Sequence, residues 1–363
     1  MAEGRGKHIA LFLPDLGGGG AERVTLAEAR DLIGRGHRVD LVLNRGGGEL
    51  LELLPPEVRV IDFKATRMIG GLGPLVRYLR SERPDALHAV MWPSTAIASL
   101  AHWLARSTAK LIVSDQVTLS QQVRGRRQRA ALKATTRLLY PRADVRIACS
   151  AIAADDLARL AHLARDSIEV ITNPIEAPAT IATTAEVEKL WGAGRPRIIT
   201  MGSLKGQKNH ALLLRAFARV EDKSAQLMIV GEGELRPQLD QLAGELGIAG
   251  RVTMPGFFLD PWPFLASADL FVLSSDYEGF PLVLAEAMRA GLRVVSTDCI
   301  SGPAELTDHG KYGRLVPCGD AAALARAIEL ELAEPLQPER QRQRSLALAG
   351  PAQIARYSEL VAG

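Results

Sequence analysis

Cysteine is scarce in this chain of 363 residues, and its scarcity narrows the class of protein. The three cysteines, Cys149, Cys299 and Cys318, are odd in number and show no C-x-x-C spacing. Disulfide frameworks and zinc sites need paired or closely spaced thiols, so neither is indicated. We therefore expect reduced, buried cysteines.

The sequence also lacks a long apolar run and a marked excess of one charge. No apolar run approaches the roughly 20 residues that a membrane-spanning helix requires, so we expect a cytoplasmic protein. The 44 Lys and Arg residues nearly balance the 41 Asp and Glu residues, and the net charge at pH 7 is +3. This balance argues against a general nucleic-acid-binding protein, so any basic function must be local.

What the sequence does contain is a repeated alternation of strand-like and helix-like segments. It begins at the apolar run His8 to Leu13 and restarts at Arg197, after a stretch rich in Ala, Thr and Pro. Continuous apolar strands suit parallel sheets that are covered by helices on both faces. We predict an α/β fold with two Rossmann-like, doubly wound parallel-sheet domains that face each other across a cleft.

The predicted boundaries follow from that restart and from the length, which exceeds one usual core. The N-terminal domain is expected at residues 1–175 and the C-terminal domain at 176–344. The final segment, 345–363, is expected to cross back onto the first domain.

Four glycines, Gly17, Gly18, Gly19 and Gly20, follow the first strand and open a helix. Such a loop lets backbone N–H groups approach an anion at the positive end of the helix. The spacing is not G-x-G-x-x-G, and Asp40 begins the second strand instead of ending it, which disfavours a dehydrogenase. The alternative is a flexible strand-to-helix turn without a ligand.

A second glycine loop, from Gly202 to His210, carries two lysines in front of another predicted helix. Lysines at a helix N-terminus oppose the macrodipole, so Lys205 and Lys208 are better explained if a diphosphate binds there. Asn209 is expected to cap the helix. The alternative is two solvated loop lysines.

Glu278 and Glu286 have seven residues between them in an apolar, helix-like run. On one helix their carboxylates would be separated by about 12 Å, because each residue adds about 1.5 Å. The acid and base of a glycoside hydrolase lie roughly 5 to 9.5 Å apart, so hydrolysis is the poorer interpretation. The spacing suits a long ligand with hydroxyls at both ends, such as a sugar nucleotide.

The sequence contains no Asp-x-Asp pair, and we predict no metal site. Lysine, loop amides and helix dipoles would then neutralise the leaving diphosphate.

Two further features suggest function. His88, at the end of the predicted strand Ala86 to Val90, is expected at the rim of the cleft; the alternative is a packed histidine. Between Val123 and Arg142, basic residues and leucines without an acidic partner predict a basic amphipathic helix that rests on anionic lipid, or else a solvated face. The basic residues are Arg124, Arg126, Arg127, Arg129, Lys133, Arg137 and Arg142.

Together the glycine loops, the Tyr277 to Met288 run and the Ser296 to Glu305 run resemble glycosyltransferase family 4, whose members are retaining enzymes of the GT-B fold. The resemblance implies that the C-terminal domain binds a nucleotide-sugar donor and that the N-terminal domain serves the acceptor. By position, Lys208 would bind phosphate, Glu278 the donor sugar and Glu286 the ribose.

The resemblance also implies roles for neighbouring residues. The catalytic set would be Lys208, Glu278 and His88. The donor site would further include Ser203, Gly279, Phe280, Leu282 and Val283. Ser203 stands where the family usually has arginine, and Val90 stands where many members have the second histidine of His-x-His.

The expected function is therefore transfer of a hexosyl or N-acetylhexosaminyl residue, with retention and without a metal, from a UDP-sugar. The acceptor would be a glycan or a lipid-linked saccharide in cell-envelope or polysaccharide synthesis, at the inner face of the cytoplasmic membrane. Two alternatives remain open: a catalytically silent homologue that binds a sugar nucleotide or a partner subunit, and a nucleotide-sugar epimerase.

Overall fold

The computed structural model describes residues 6–123 and 125–363. The chain divides into two compact units: unit 1 is Met1–Pro174 with Pro351–Gly363, and unit 2 is Ile175–Gly350. The residues 345–350, which we expected in the first domain, lie in unit 2. There Ser345 is buried and donates a hydrogen bond from Oγ to the backbone oxygen of Ala285 at 2.7 Å.

Within the described residues, unit 1 holds one parallel sheet of seven strands. The strands are β1 (His8–Leu13), β2 (Arg38–Leu43), β3 (Arg59–Asp62), β4 (Ala86–Val90), β5 (Lys110–Asp115), β6 (Val145–Ala148) and β7 (Glu169–Val170). Their order across the sheet is β3-β2-β1-β4-β5-β6-β7. The connecting helices are α1 (Gly20–Gly34), α2 (Leu72–Glu82), α3 (Ser94–Ala105), α4 (Leu119–Gln122), α5 (Arg126–Leu139) and α6 (Ala151–Ala161).

Unit 2 repeats this plan with a parallel sheet of six strands among the described residues. The strands are β8 (Arg197–Met201), β9 (Gln226–Val230), β10 (Val252–Gly256), β11 (Leu270–Leu273), β12 (Arg293–Thr297) and β13 (Arg314–Val316). Their order is β10-β9-β8-β11-β12-β13. The helices are α7 (Ala185–Glu188), α8 (His210–Phe217), α9 (Arg236–Glu245), α10 (Trp262–Ala266), α11 (Leu282–Ala290), α12 (Pro303–Thr307), α13 (Ala321–Ala333) and α14 (Pro338–Ala349).

The last helix, α15 (Pro351–Ala362), returns to unit 1 and packs against α1. Its buried Tyr357 stacks on the ring of His88, with 6.2 Å between the ring centroids. Short 3-10 turns complete the chain at Glu49–Leu53, Met68–Gly71, Tyr140–Arg142, Arg165–Ser167, Gly206–Lys208 and Ala249–Arg251.

The predicted doubly wound α/β fold is confirmed in both units. Residues Ile9 to Leu13 of β1 are all buried, as expected for a strand that is covered on both faces. The strand order reverses between β1 and β4 in unit 1 and between β8 and β11 in unit 2. In such sheets, ligands bind outside the carboxyl ends of the strands at this reversal point. Each unit therefore has one preferred location for a site.

Among the described residues, no helix combines the length and the apolar character that crossing a membrane requires.

A cluster of ionisable residues in unit 1 has the spacing of metal ligands, with His8, Asp40 and Glu82 offering atoms within 4.8 Å of one another. Arg59 donates hydrogen bonds to both carboxylates, and Tyr78 donates to Asp40 at 2.7 Å. Burial alone would raise the pKa of Asp40, but hydrogen bonds from Arg59, Tyr78 and His8 bring it down to about 2. The cluster is thus satisfied as an ion-pair network.

Candidate active site

The reversal point of unit 2 brings together two loops that are far apart in sequence. One loop follows β8 and carries Lys208, and the other follows β11 and carries Glu278. The Nζ of Lys208 lies 2.7 Å from Oε1 of Glu278, and the two side chains are only 15% and 7% exposed. A cation and a carboxylate thus meet, largely shielded from water, where the fold is expected to bind a ligand.

Two hydroxyl residues hold the Glu278 carboxylate in place. Ser275 donates from Oγ to the same oxygen, Oε1, at 2.6 Å, and Thr297 donates from Oγ1 to the backbone oxygen of Ser275 at 2.6 Å. Neither residue was predicted as part of the site from the sequence. A usable signal existed, because Ser274, Ser275 and Asp276 follow the apolar strand β11 directly, at a strand end where polar groups gather around ligands.

The two loops are also tied to each other. Gln207 donates from Nε2 to the backbone oxygen of Tyr277, and the backbone N–H of Asp276 donates to the backbone oxygen of Gln207, both at 2.9 Å. Asn209 donates from Nδ2 to Asp276 Oδ1 at 2.8 Å. These contacts fix Lys208 and Glu278 relative to each other, as a preorganised site requires.

Asn209 also caps helix α8, as predicted, because its Oδ1 accepts a hydrogen bond from the backbone N–H of Leu212 at 3.2 Å.

Helix α11 begins at Leu282, so the premise that Glu278 and Glu286 share one helix is wrong. Pro281 precedes the helix, and Glu278 lies in the turn before it. The separation of about 12 Å that we derived for one helix does not apply. Glu286 lies in the helix and is buried.

The N-cap residue of α11, Pro281, makes no side-chain cap, and the first turn of the helix contains no acidic residue to complement its positive end. The first two helical residues are Leu282 and Val283, whose amides were predicted to approach the donor. Ser301 donates from Oγ to the backbone oxygen of Gly279 at 2.8 Å and so braces the turn. Gly302 has φ +93°, and a Cβ there would lie 2.9 Å from that oxygen, so the close approach needs glycine.

The other predicted site residues of unit 2 differ in how exposed they are. Phe280 is buried, whereas Ser203 and Lys205 are exposed. His210, directly after the lysine loop, is buried, and desolvation, with Lys208 nearby, lowers its pKa to about 4. This histidine is therefore neutral at pH 7 and adds no charge to the site.

The reversal point of unit 1 carries little free charge. Gly20 begins α1, and Gly19 stands at the N-cap position without a side-chain cap. Glu22, in the first turn, already complements the positive helix end. The anion site that we predicted at Gly17 to Gly20 stays a prediction, and the acidic residue beside it weakens it.

His88 lies inside the sheet, and its predicted position at the rim is wrong. It is only 1% exposed and occupies the middle of β4, two residues before the strand ends. Its Nδ1 lies 2.8 Å from Glu28 Oε1, and its Nε2 lies 2.8 Å from Ser114 Oγ. Both ring nitrogens are engaged with buried partners, so the histidine is packed and satisfied.

Asp115, at the carboxyl end of β5, holds the turn that follows β4. It accepts hydrogen bonds from the backbone N–H of Trp92 at 3.2 Å and from the Tyr140 hydroxyl at 2.8 Å. Burial raises the pKa of Asp115 to about 7, against the lowering effect of both donors. Met91, in the same turn, has φ +66°, a backbone conformation that non-glycine residues rarely adopt.

The predicted basic helix forms as α5. Its buried side includes Leu132 and Thr136, while its basic residues are exposed. Those described are Arg126, Arg127, Arg129, Lys133 and Arg137, followed by Arg142 in the next turn. Arg124 lies outside the described residues. Leu138 is 69% exposed, and Trp103 of the neighbouring helix α3 is 55% exposed beneath the guanidinium of Arg142.

Comparisons with known proteins agree with this geometry. The family model described as Glycosyltransferase Family 4 matches residues 18–177, and the model described as Glycosyl transferases group 1 matches residues 183–347. Each unit thus matches one of the two models.

Two relatives illustrate the range of similarity. The N-acetylgalactosamine-N,N'-diacetylbacillosaminyl-diphospho-undecaprenol 4-alpha-N-acetylgalactosaminyltransferase of Campylobacter jejuni is 27% identical over 347 residues, which cover 89% of this chain and 90% of that protein. The lipopolysaccharide core biosynthesis glycosyltransferase LpsE of Rhizobium meliloti is 39% identical over 142 residues, 39% of this chain and 41% of that protein.

The fold is shared with solved structures. Anabaena HepE in complex with UDP-glucose superposes with a TM-score of 0.80 at 20% identity, covering 98% of each chain. This likeness shows the fold, and the two family models, one on each unit, show the family. The chain therefore belongs to glycosyltransferase family 4, has the GT-B fold and is a glycosyltransferase.

Proposed function

We propose that this chain transfers a hexosyl or N-acetylhexosaminyl residue from a UDP-sugar to a lipid-linked saccharide, with retention of configuration and without a metal ion. One observation carries the proposal: the shielded pair of Lys208 and Glu278, 2.7 Å apart at the reversal point of unit 2. A donor has a negative diphosphate and a sugar rich in hydroxyls, and this pair offers one group for each.

The roles follow from charge. The Lys208 ammonium and the uncapped N-terminus of α11 are positive, so we assign the diphosphate to them. The Glu278 carboxylate accepts hydrogen bonds from donor-sugar hydroxyls, in place of the one it now receives from Lys208. Glu286, further along α11, is assigned to the ribose.

The reaction is proposed to proceed on one face of the sugar. The bond between the anomeric carbon and the diphosphate oxygen breaks while the acceptor hydroxyl attacks from the same side, and the departing phosphate oxygen takes the hydroxyl proton. Lys208 stabilises the charge that grows on the diphosphate. The two tied loops contribute by holding Lys208 and Glu278 in position.

Metal independence is supported by the positive groups already at the site, which supply the neutralisation that a cation would otherwise supply. Transfer that continues unchanged in excess EDTA would agree with this assignment. Activity that disappears in EDTA and returns with added Mg²⁺ or Mn²⁺ would refute it.

The donor and acceptor classes draw support from the relatives. Anabaena HepE was crystallised with UDP-glucose, which favours a UDP-sugar here. The Campylobacter jejuni relative is named for an undecaprenyl-diphosphate-linked substrate, and the Rhizobium relative for lipopolysaccharide core synthesis. From the lipid-linked substrate of the first relative and the lipopolysaccharide synthesis of the second, we infer a lipid-linked saccharide of envelope polysaccharide synthesis as the acceptor class.

The basic surface of α5 supports a location at the inner face of the cytoplasmic membrane. Exposed arginines and lysine face solvent together with Leu138, a combination that suits anionic headgroups and a shallow apolar contact. We assign the acceptor and this membrane contact to unit 1.

The decisive experiment incubates the protein with a panel of UDP- and GDP-sugars and a short-chain polyprenyl-diphosphate saccharide. Product analysis by NMR should show transfer from a UDP-sugar with the donor's anomeric configuration kept. Binding of UDP without any transfer or donor hydrolysis across the panel would instead identify a silent homologue. Conversion of the donor sugar without an acceptor would identify an epimerase.

A further inference from the structure

Two of the three cysteines, Cys299 and Cys318, lie near each other, and Cys299 also lies near Lys208 and Glu278. Strands β12 and β13 are parallel, with Thr297 opposite Val316. The backbone N–H of Asp298 continues the pairing by donating to the oxygen of Val316 at 2.7 Å. Cys299 and Cys318 each follow these opposed residues by two positions, just beyond the ends of the two strands.

Side-chain contacts place both sulfurs close to Thr297. Cys318 donates from Sγ to the backbone oxygen of Ser275 at 3.9 Å, the same oxygen that accepts from Thr297 Oγ1. Thr297 also lies close enough to both cysteine side chains to lower the pKa of each thiol. Ser275 in turn donates to Glu278 at 2.6 Å, so one serine links the thiols to the carboxylate of the active site.

The two thiols differ in access. Cys299 is only 3% exposed, and burial raises its pKa, with further contributions from Glu278 and Cys318. Cys318 is exposed, contrary to our expectation of buried cysteines, so a small oxidant reaches it first. Partial burial, with Asp276 and Asp298 nearby, raises the pKa of Cys318 as well. Cys149 is buried in unit 1 and belongs to neither segment, which makes it a natural control.

We propose that Cys299 and Cys318 form a reversible disulfide under peroxide and that this disulfide weakens donor binding. The Cys318 thiolate attacks one oxygen of hydrogen peroxide, the O–O bond breaks, and a sulfenic acid forms; the hydroxide that leaves takes a proton from solvent and becomes water. The Cys299 thiol then displaces the hydroxyl of that sulfenic acid, which leaves a disulfide and a second water. Peroxide accepts the two electrons, and a dithiol reductant returns them.

The geometry makes the bond feasible. Each cysteine lies two residues beyond a paired position of strands that are about 4.8 Å apart, and disulfides span roughly 4.4 to 6.8 Å between Cα atoms. Bond formation removes the Cys318 thiol from the Ser275 oxygen and draws the end of β12 toward β13. Because Ser275 holds Glu278, the carboxylate loses its fixed position. This second effect rests on the proposed donor role of Glu278.

The linkage itself is tested by peptide mapping. The folded protein is treated with hydrogen peroxide, free thiols are alkylated, and peptides are analysed without reduction. We expect a peptide pair joined through Cys299 and Cys318 that separates on reduction. The pair should form equally in Cys149→Ser and be lost in Cys318→Ser. Irreversible oxidation of Cys318 alone, or links only between two molecules, would overturn the proposal.

The effect on the donor is measured on the same samples by titrating UDP and a UDP-sugar. The oxidised protein should bind the UDP-sugar about tenfold more weakly than the reduced protein, a difference of about 1.4 kcal/mol, and dithiothreitol should restore binding. Unchanged UDP-sugar affinity in protein that carries the disulfide would refute the claim that the disulfide weakens donor binding. Reduced protein that binds no nucleotide would refute the proposed function and leave the mapped disulfide standing.

Discussion

Units 1 and 2 share a strand order at their centres, yet the reversal points of their sheets carry different chemistry. In unit 2 the loops after β8 and β11 present Lys208 and Glu278 to each other with limited exposure. In unit 1 the corresponding loops, after β1 and β4, present glycines and the turn at Met91, while His88 stays buried. The topology provides a place for a ligand in both units, and the residues at the strand ends decide its use.

The two units use their polar groups differently. Unit 2 ties its loops together through Gln207 and Asn209 and leaves a charged pair for the ligand. Unit 1 spends its buried polar groups on one another, as in the contacts of His88 with Glu28 and Ser114. Substitution of Lys208 or Glu278 should therefore change catalysis, and substitution of His88 should change stability.

The largest effect is expected for Lys208→Ala. Loss of one strong donor to the transition state should lower kcat by about 10²- to 10³-fold while the protein still folds. Steady-state kinetics and circular dichroism measure both quantities. Lys223→Ala, an exposed lysine of the same unit, is the matched control. A kcat within about twofold of wild type would remove Lys208 from the mechanism.

His88→Ala, in contrast to Lys208→Ala, is expected to lower stability and leave kcat nearly unchanged. It leaves Glu28 and Ser114 buried without their imidazole partner, which costs about 1–3 kcal/mol for each unsatisfied group. Urea unfolding should therefore show a lower free energy of unfolding, with kcat of the remaining folded protein near that of wild type. Normal stability together with a large loss of kcat would return His88 to the catalytic set.

Asp115→Asn tests the buried carboxyl of unit 1 through pH. The folded state raises the pKa of Asp115 to about 7, from about 3.9 when unfolded. Between these values the folded state binds more protons than the unfolded state, so wild-type stability falls as pH rises, by at most about 1.4 kcal/mol per pH unit. The variant should lose this slope, and parallel pH curves for both proteins would contradict the assignment.

His210 in unit 2 should make stability depend on pH in the opposite direction. Its folded pKa is about 4, below the unfolded value of about 6.5. The unfolded state therefore binds more protons between these values, and this contribution to stability is lost as pH falls through that window. His210→Gln should remove this loss of stability at acid pH. Urea unfolding of both proteins at several pH values measures the difference.

The smallest effect is expected on membrane binding. Lys133→Gln with Arg137→Gln should weaken binding to anionic vesicles by about 1 kcal/mol for each charge removed, and less at high salt. Co-sedimentation with vesicles with and without anionic lipid measures this effect. The matched control changes Lys223 and Arg326, two exposed basic residues of unit 2. Equal losses of vesicle binding for the two double variants would show that α5 has no special role in membrane binding.

Much of the fold was predictable because its signals are local. The apolar runs at β1 and β4 gave the observed strand bounds, His8–Leu13 and Ala86–Val90. The strands β6, β7 and β13 have only two to four residues each, which is too short for a residue pattern to predict them. Such short segments acquire strand structure from their neighbours in the sheet.

The site was predictable in part. Lys208 and Glu278 were assigned together from motifs, although they are 70 residues apart. The start of α11 was mistaken, although Pro281 marks a helix boundary in the sequence. His88 could not be placed, because Glu28, Ser114 and Tyr357, which enclose it, come from distant segments and carry no local signal.

The return of α15 to unit 1 has a practical consequence for engineering. Unit 2 is encoded by one uninterrupted stretch, Ile175–Gly350, whereas unit 1 needs both arms of the chain. A chimaera that exchanges this cassette between relatives therefore cuts the gene at two junctions and keeps the host's unit 1 whole. Truncation after Gly350 would instead strip Tyr357 from the host half and leave the cassette intact.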